Sequence, residues 1–145
     1  VKRELHWITF FGLLIGLLNM IHINRSDAGS SAISVANQGK ERLNAGKWMI
    51  LFPEGTRTPI GSHKPYRKGG ARLAGLTGAT ILPVAHNAGR YWPRNSFLKY
   101  PGLITVSIGP SITSQGKSGD QLHEAVETWI EGEMRRIDPA AYQAK

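Results

Sequence analysis

The chain has 145 residues, of which 41% are hydrophobic and 19% charged, a balance that allows one domain with a buried core. It has no cysteine, which excludes a disulfide framework, a cysteine-based zinc site and a thiol nucleophile. The net charge of +8 is uneven: residues 1–119 carry fifteen basic and four acidic residues, and residues 120–145 carry three and six. The basic part should attract nucleic acid, an anionic membrane or phosphorylated small molecules.

The most apolar stretch lies near the start, at residues 7–21. Its 15 residues fall short of the roughly 20 that a membrane-spanning helix needs. Buried core and a membrane-interface element both remain open, with a transmembrane helix as a third interpretation. Because the chain begins at Val1, without an initiator methionine or a secretion signal, we expect a processed or truncated piece.

The later elements alternate between strand-like and helix-like patterns. In chain order, the predicted strands are residues 21–25, 48–52, 80–85 and 103–108. One helix is predicted from about 26 to Gly46, a second at 68–77, and a third, with an apolar stripe, at the C-terminus. The continuous apolar run 48–52 predicts a strand covered on both faces. Strands separated by helix-length segments imply crossover connections. The fold class is therefore α/β: a three-layer sandwich with a largely parallel sheet flanked by helices, forming a single domain over residues 1–145.

The loop after the apolar run 48–52 carries a candidate phosphate site, residues 52–57 with the sequence FPEGTR. In open α/β sheets, ligands bind beyond the carboxyl ends of the strands. Gly55 lets the backbone approach a ligand, Arg57 offers a planar fork of donors for two phosphate oxygens, and Glu54 can hold that fork in place. Residues 66–70 (YRKGG) add cations and a glycine-rich helix start. An ordinary surface turn with a Glu–Arg pair is the alternative.

Residues 52–57 resemble the third sequence block of the glycerolipid acyltransferases, in particular the bacterial 1-acylglycerol-3-phosphate acyltransferases. Further segments resemble that family in the same order. Residues 2–5 (KREL) are similar to the stretch before its second block, 21–25 (IHINR) to that block, 66–69 (YRKG) to its aromatic-x-Lys-Gly, and 81–85 (ILPVA) to its fourth block. The resemblance covers residues 1 to about 110 and implies a fold like that of glycerol-3-phosphate acyltransferase.

The resemblance implies transfer of a fatty acyl group from acyl-CoA or acyl carrier protein to 1-acylglycerol 3-phosphate (lysophosphatidic acid), giving phosphatidic acid. By position, the substrate-binding residues would be Arg25, Glu54, Gly55, Thr56, Arg57 and Lys68. Pro83 would support the acyl-donor side. No metal, prosthetic group or nucleic acid is implied. The resemblance places the enzyme at the cytoplasmic face of the bacterial inner membrane, peripheral or interfacially embedded, with an anionic lipid surface as partner.

The family's catalytic block, Asn-His-x4-Asp, is not found in this chain. Its histidine takes the proton of the attacking hydroxyl, which is a poor nucleophile until a base does so. His22 and Asp27 match His-x4-Asp by letter, but Ile21 stands where the family has Asn, and the pair overlays the second block. We interpret His22 and Asp27 as a decoy and expect this piece to be inactive alone.

Two alternatives remain open at this point. Another acyltransferase of the same superfamily would use glycerol 3-phosphate or another lysophospholipid as acceptor. A basic nucleic-acid-binding module is the alternative from a different class, because aromatic residues interleave with basic ones at 66–68, 90–94 and 99–100.

Overall fold

The computed structural model describes residues 28–143, with side chains from residue 36 onward. The chain divides into two compact units, residues 1–50 and 51–145, and each is described by itself. The predicted elements at 7–21 and 21–25 lie outside the described residues, as do Arg25, His22 and Asp27.

The first unit contains helix α1, Ala28–Asn44. It confirms the predicted helix and ends two residues before Gly46, whose amide donates to the Leu43 carbonyl at 3.0 Å. The strand predicted at 48–52 is wrong. This segment is not in a strand, and Trp48, Ile50 and Phe52 are 84%, 82% and 75% exposed. A strand needs a neighbour for its backbone groups, and no other described segment pairs with this one.

The core of the second unit is a helix pair: α2, Gly69–Thr77, packs against α4, Gly119–Ile137. Fully buried Leu122 on α4 sits against Ala71 and Ala74 of α2. The small side chains of α2 let the two helices approach closely. A capping box at the start of α4, formed by Ser118 and Gln121, satisfies amides that the helix leaves unpaired.

A two-stranded ribbon completes the second unit. Strands β1, Val84–His86, and β2, Val106–Ile108, pair antiparallel, with Ala85 opposite Ser107. Ala85 is buried in a cluster with Tyr66 and Ile130 of α4. An isolated antiparallel bridge joins Ile81 and Ile112.

These antiparallel contacts do not confirm the predicted largely parallel sheet. The prediction assumed that the segment between the third and fourth predicted strands, 80–85 and 103–108, crosses over the sheet. Instead it holds only a single helical turn, α3, Ala88–Tyr91, before the chain returns beside β1. Pro83 does precede a strand start, as its missing amide requires. Within residues 28–143, no helix is both long and apolar enough to cross a membrane.

Candidate acceptor-binding site

The predicted phosphate loop, residues 52–57, forms a tight turn. Gly55 adopts a φ of +68°, a left-handed conformation that favours glycine, and its amide donates to the Phe52 carbonyl at 3.0 Å. The Arg67 amide donates to the Pro53 carbonyl at 2.7 Å and holds residues 66–68 against the turn. The structure therefore brings the two predicted cationic segments together.

Gly55 is also where the Arg67 side chain rests. A β-carbon built on Gly55 would lie 2.3 Å from Nε and 2.6 Å from Cδ of Arg67. Any side chain at position 55 would have to displace this arginine. Glycine is thus required twice, once by the backbone angle and once by the close approach of a guanidinium group.

Two further contacts shape the turn. The Thr58 hydroxyl donates to the Glu54 carboxylate. Glu54 therefore stabilises the turn through Thr58 rather than by holding the Arg57 side chain. Arg94, from the segment after α3, donates through Nη1 to the Arg57 carbonyl at 3.3 Å. Thr56 and Arg57 are exposed.

Lys68 lies at the start of α2, but its ammonium group is engaged. Nζ donates to Asp120 Oδ1 of α4 at 2.7 Å, and this bond holds the pKa of Asp120 below its ordinary value. No side chain caps the first amides of α2. Those amides and the helix dipole favour an anion at this end.

The neighbouring Tyr66 anchors the segment. Its hydroxyl donates to Glu131 Oε1 at 2.8 Å, and burial followed by this bond raises its pKa. His63 Nε2 lies 2.8 Å from Glu127 Oε1, and His123 Nε2 lies 3.1 Å from Glu127 Oε2. The acidic face of α4 therefore fixes residues 63–68 beside the turn.

The charges around the turn are unbalanced. Arg57 belongs to the turn, and the side chains of Arg67 and Arg94 reach it. None of these three arginines pairs with a carboxylate among residues 36–143. Guanidinium groups present paired donors that fit phosphate oxygens. The arrangement can hold a phosphate group at the protein surface. The described residues contain no cluster of histidine and carboxylate side chains suited to a metal ion.

The other predicted site residues lie apart from the turn or outside the description. Pro83 is fully buried just before β1, and its carbonyl accepts from the Gly109 amide at 2.9 Å. Arg25 is among the residues whose structure is not described. Their assigned roles stay predictions.

Sequence reasoning counts Arg67 only among the cations of residues 66–70 and misses the role of Arg94. Arg67 stands at position x of the aromatic-x-Lys-Gly pattern, where the family specifies no residue, so the resemblance assigns a role to Lys68 and none to Arg67. Arg94 was noted only as part of a basic aromatic stretch. The signal available for Arg67 was its position beside Lys68. Nothing in the spacing indicates that Arg94, 37 residues beyond Arg57, reaches the turn.

The comparisons with known proteins identify the family of the chain. The family model described as Acyltransferase matches residues 1–87, and the chain belongs to that family. The 1-acyl-sn-glycerol-3-phosphate acyltransferase of Pseudomonas aeruginosa is 42% identical over 142 residues, covering 96% of this chain and 55% of the relative. The enzyme of the same name from Cocos nucifera is 29% identical over 127 residues, covering 87% and 41%.

A solved structure gives the same result at the level of the fold. The crystal structure of the 1-acyl-sn-glycerophosphate acyltransferase PlsC from Thermotoga maritima matches with a TM-score of 0.77 and 25% identity. The match covers 95% of this chain and 55% of that one. The fold is therefore that of this acyltransferase, and the chain spans about half the length of the relatives it matches.

Proposed function

We propose that this chain supplies the acceptor-binding part of a 1-acylglycerol-3-phosphate acyltransferase. The reaction moves a fatty acyl group from the thioester of acyl-CoA or acyl carrier protein to the free hydroxyl of 1-acylglycerol 3-phosphate. An ester bond forms, the thioester breaks, and the hydroxyl proton leaves with the thiol. The names of the relatives support this acceptor. The observation that carries the proposal is the turn at 52–57, with arginines that lack a carboxylate partner among the described residues.

In this proposal Arg57 holds the acceptor phosphate with its fork of donors, and Gly55 leaves room for the Arg67 guanidinium group to lie against the turn beside it. Glu54 keeps the turn in shape through Thr58, and exposed Thr56 lies beside the phosphate. Lys68 adds positive charge nearby, reduced by its bond to Asp120. Arg25 contributes a further cation, as the resemblance implies.

The remaining assignments are also proposals. Pro83 supports the acyl-donor side through the rigid start of β1. The complete fold is a three-layer α/β sandwich with a largely parallel sheet, as the resemblance of residues 1 to about 110 to the glycerolipid acyltransferases implies. The enzyme works at an anionic membrane surface, in a bacterium the cytoplasmic face of the inner membrane. Its lipid acceptor and the basic charge of residues 1–119 support this location.

The proposal is tested by acyl transfer from a radiolabelled acyl thioester, offered as acyl-CoA or as acyl carrier protein. The acceptors are 1-acylglycerol 3-phosphate, glycerol 3-phosphate and a neutral monoacylglycerol. The 145-residue chain is compared with a longer one extended upstream, and each with its Arg57→Ala variant. We expect the longer chain to prefer 1-acylglycerol 3-phosphate and to lose this preference in the variant. Transfer to the neutral lipid at the same rate would overturn the proposal.

The same assay tests His22. If the 145-residue chain transfers acyl groups and His22→Ala abolishes the transfer, the interpretation of His22 and Asp27 as a decoy is wrong.

A further inference from the structure

The segment between α3 and β2 presents apolar side chains to solvent. We call residues 92–104 the apolar loop. Phe97 is fully exposed, and Leu98 and Leu103 are 66% and 78% exposed. The other large exposed apolar side chains of the loop are Trp92, Tyr100 and Ile104. Six large apolar side chains are thus exposed within 13 residues, and such a cluster is typical of an interaction surface.

The loop is held firmly at its base. The Tyr100 amide donates to the Tyr91 carbonyl at 2.9 Å and so ties the loop to the end of α3. Buried Asn87 connects the chain just before α3 with Thr105, just after the loop. Its side-chain Oδ1 accepts from the Thr105 amide at 2.8 Å, and its backbone amide donates to the Thr105 carbonyl at 3.3 Å. These hydrogen bonds fix the two ends of the loop to the segment around α3.

The tip of the loop is also ordered. The Leu98 amide donates to Ser96 Oγ at 3.1 Å, and Lys99 Nζ donates to the Ser96 carbonyl at the same distance. Asn95 adopts a left-handed φ of +56°, which asparagine tolerates better than most residues. This tight turn pushes Phe97 and Leu98 outward together.

The charges of the apolar loop are all positive. Residues 92–104 contain Arg94 and Lys99 and no acidic residue. Lys99 Nζ lies 4.6 Å from the centre of the Trp92 ring, so a cation and an amphipathic aromatic ring occupy one level of the loop. Tryptophan and tyrosine favour the headgroup level of a bilayer, and anionic headgroups attract lysine and arginine.

We propose that the apolar loop is a membrane-binding element that inserts Phe97 and Leu98 among the acyl chains of an anionic bilayer. Trp92 and Tyr100 lie at the level of the headgroups, and Lys99 contacts lipid phosphates. This inference rests on the membrane association in the proposed function and assigns it a surface.

Two observations favour lipid over nucleic acid as the partner. Leucine and isoleucine side chains at 98, 103 and 104 have no ring on which a base can stack, yet they are exposed with the aromatic residues. The loop also adjoins the candidate acceptor site, since Arg94 donates to the Arg57 carbonyl. A loop seated in the bilayer would bring the turn at 52–57 to the headgroup level, where a lysolipid presents its phosphate.

The test places one environment-sensitive dye on the loop. Because the chain has no cysteine, Phe97→Cys and Leu76→Cys each give a single labelling position. Leu76 is the matched control, since it is 72% exposed and belongs to α2 rather than to the loop. The labelled chains are mixed with vesicles of phosphatidylcholine, vesicles of equal phosphatidylcholine and phosphatidylglycerol, or a single-stranded oligonucleotide. Cosedimentation with the vesicles is measured in parallel.

We expect the dye at position 97 to shift to the blue with the anionic vesicles, and the dye at position 76 to stay unchanged. In unlabelled protein, Leu98→Ser should lower the vesicle partition coefficient about tenfold and Leu76→Ser should not. If the chain cosediments with the vesicles but the dye at position 97 does not respond, the loop is not the membrane-binding element, and the membrane association in the proposed function is retained. Loss of cosedimentation by the unsubstituted chain would overturn both. A response to the oligonucleotide alone would identify the loop as a nucleic-acid surface and also overturn the proposal.

Discussion

The basic side chains of residues 51–143 behave differently in two regions. Several of them form ion pairs at α4 or at its end, among them Lys68 with Asp120, Arg90 with Asp138, and Arg136, whose Nε lies 2.9 Å from Glu133 Oε2. At the turn of residues 52–57, Arg57, Arg67 and Arg94 have no carboxylate partner among the described side chains.

This difference separates structural charge from charge available to a ligand. Exposed ion pairs stabilise a fold weakly, but they cancel the field around each cation. Cations without a partner keep their field and attract anions. The net basic charge of the chain is therefore less informative than the location of the arginines that α4 leaves unpaired.

The largest effect is expected in the helix pair of α2 and α4. Leu122→Ala removes the fully buried side chain between α4 and α2 and should lower the free energy of unfolding by about 2–5 kcal/mol. Urea unfolding measures this loss. The matched control is Leu76→Ala, which should change stability by less than about 0.5 kcal/mol because Leu76 is exposed. Equal losses for the two variants would contradict the described core.

The second effect is expected at the turn alone. Gly55→Ala forces alanine into a left-handed conformation, at a cost of about 1–2 kcal/mol, and pushes Arg67 away. Gly116→Ala is the control, because Gly116 has a φ of +72° and open space around its α-carbon. Both variants should lose similar stability on thermal unfolding, but only Gly55→Ala should weaken binding of 1-acylglycerol 3-phosphate. Equal binding by both would show that the contact with Arg67 has no functional role.

A smaller effect is expected where the two regions meet. Tyr66→Phe removes the hydrogen bond to Glu131 while keeping the buried ring, so stability should fall by about 0.5–1.5 kcal/mol. Acceptor affinity should fall with it, because Tyr66 fixes the segment that carries Arg67. Calorimetric unfolding and an acceptor titration test the two parts. Unchanged stability would mean that the bond contributes nothing to holding this segment.

The smallest effect concerns acid stability. Hydrogen bonds from Arg136 and Ser107 lower the pKa of Glu133 from 4.5 to about 2. A carboxylate whose pKa is lower when folded stabilises the fold above its unfolded pKa, and this contribution is lost as the pH falls towards the folded pKa. Glu133→Gln should therefore be slightly less stable than the unsubstituted chain at neutral pH. The difference should shrink below pH 4.5 in urea unfolding curves. A difference that grows on acidification would reverse the assigned sign.

Sequence reasoning predicted the local elements better than their assembly. The helices at 28–44 and 119–137 follow from apolar periodicity and capping residues, and the helix at 69–77 from its run of small residues; these signals act within a few turns. The strand predicted from the apolar run 48–52 is wrong, because hydrophobicity alone does not supply the neighbouring strand that a β-strand needs. Residues 52–57 could be found because glycine and arginine have specific uses in a turn. Arg94 could not, because its contact with Arg57 depends on the path of the apolar loop.

In the proposed function, the arginines of the turn, which lack a carboxylate partner among the described side chains, hold the acceptor phosphate. The most direct measurement titrates the chain with 1-acylglycerol 3-phosphate and with the corresponding neutral monoacylglycerol, for the unsubstituted protein and for Arg57→Ala, Lys68→Ala and Lys117→Ala. Hydrogen bonds between charged groups predict a loss of about 10- to 100-fold in phosphate-lipid affinity for Arg57→Ala. The loss should be smaller for Lys68→Ala, whose ammonium group is shared with Asp120, and absent for exposed Lys117→Ala. If Arg57→Ala binds the two lipids in the same ratio as the unsubstituted chain, the account is wrong.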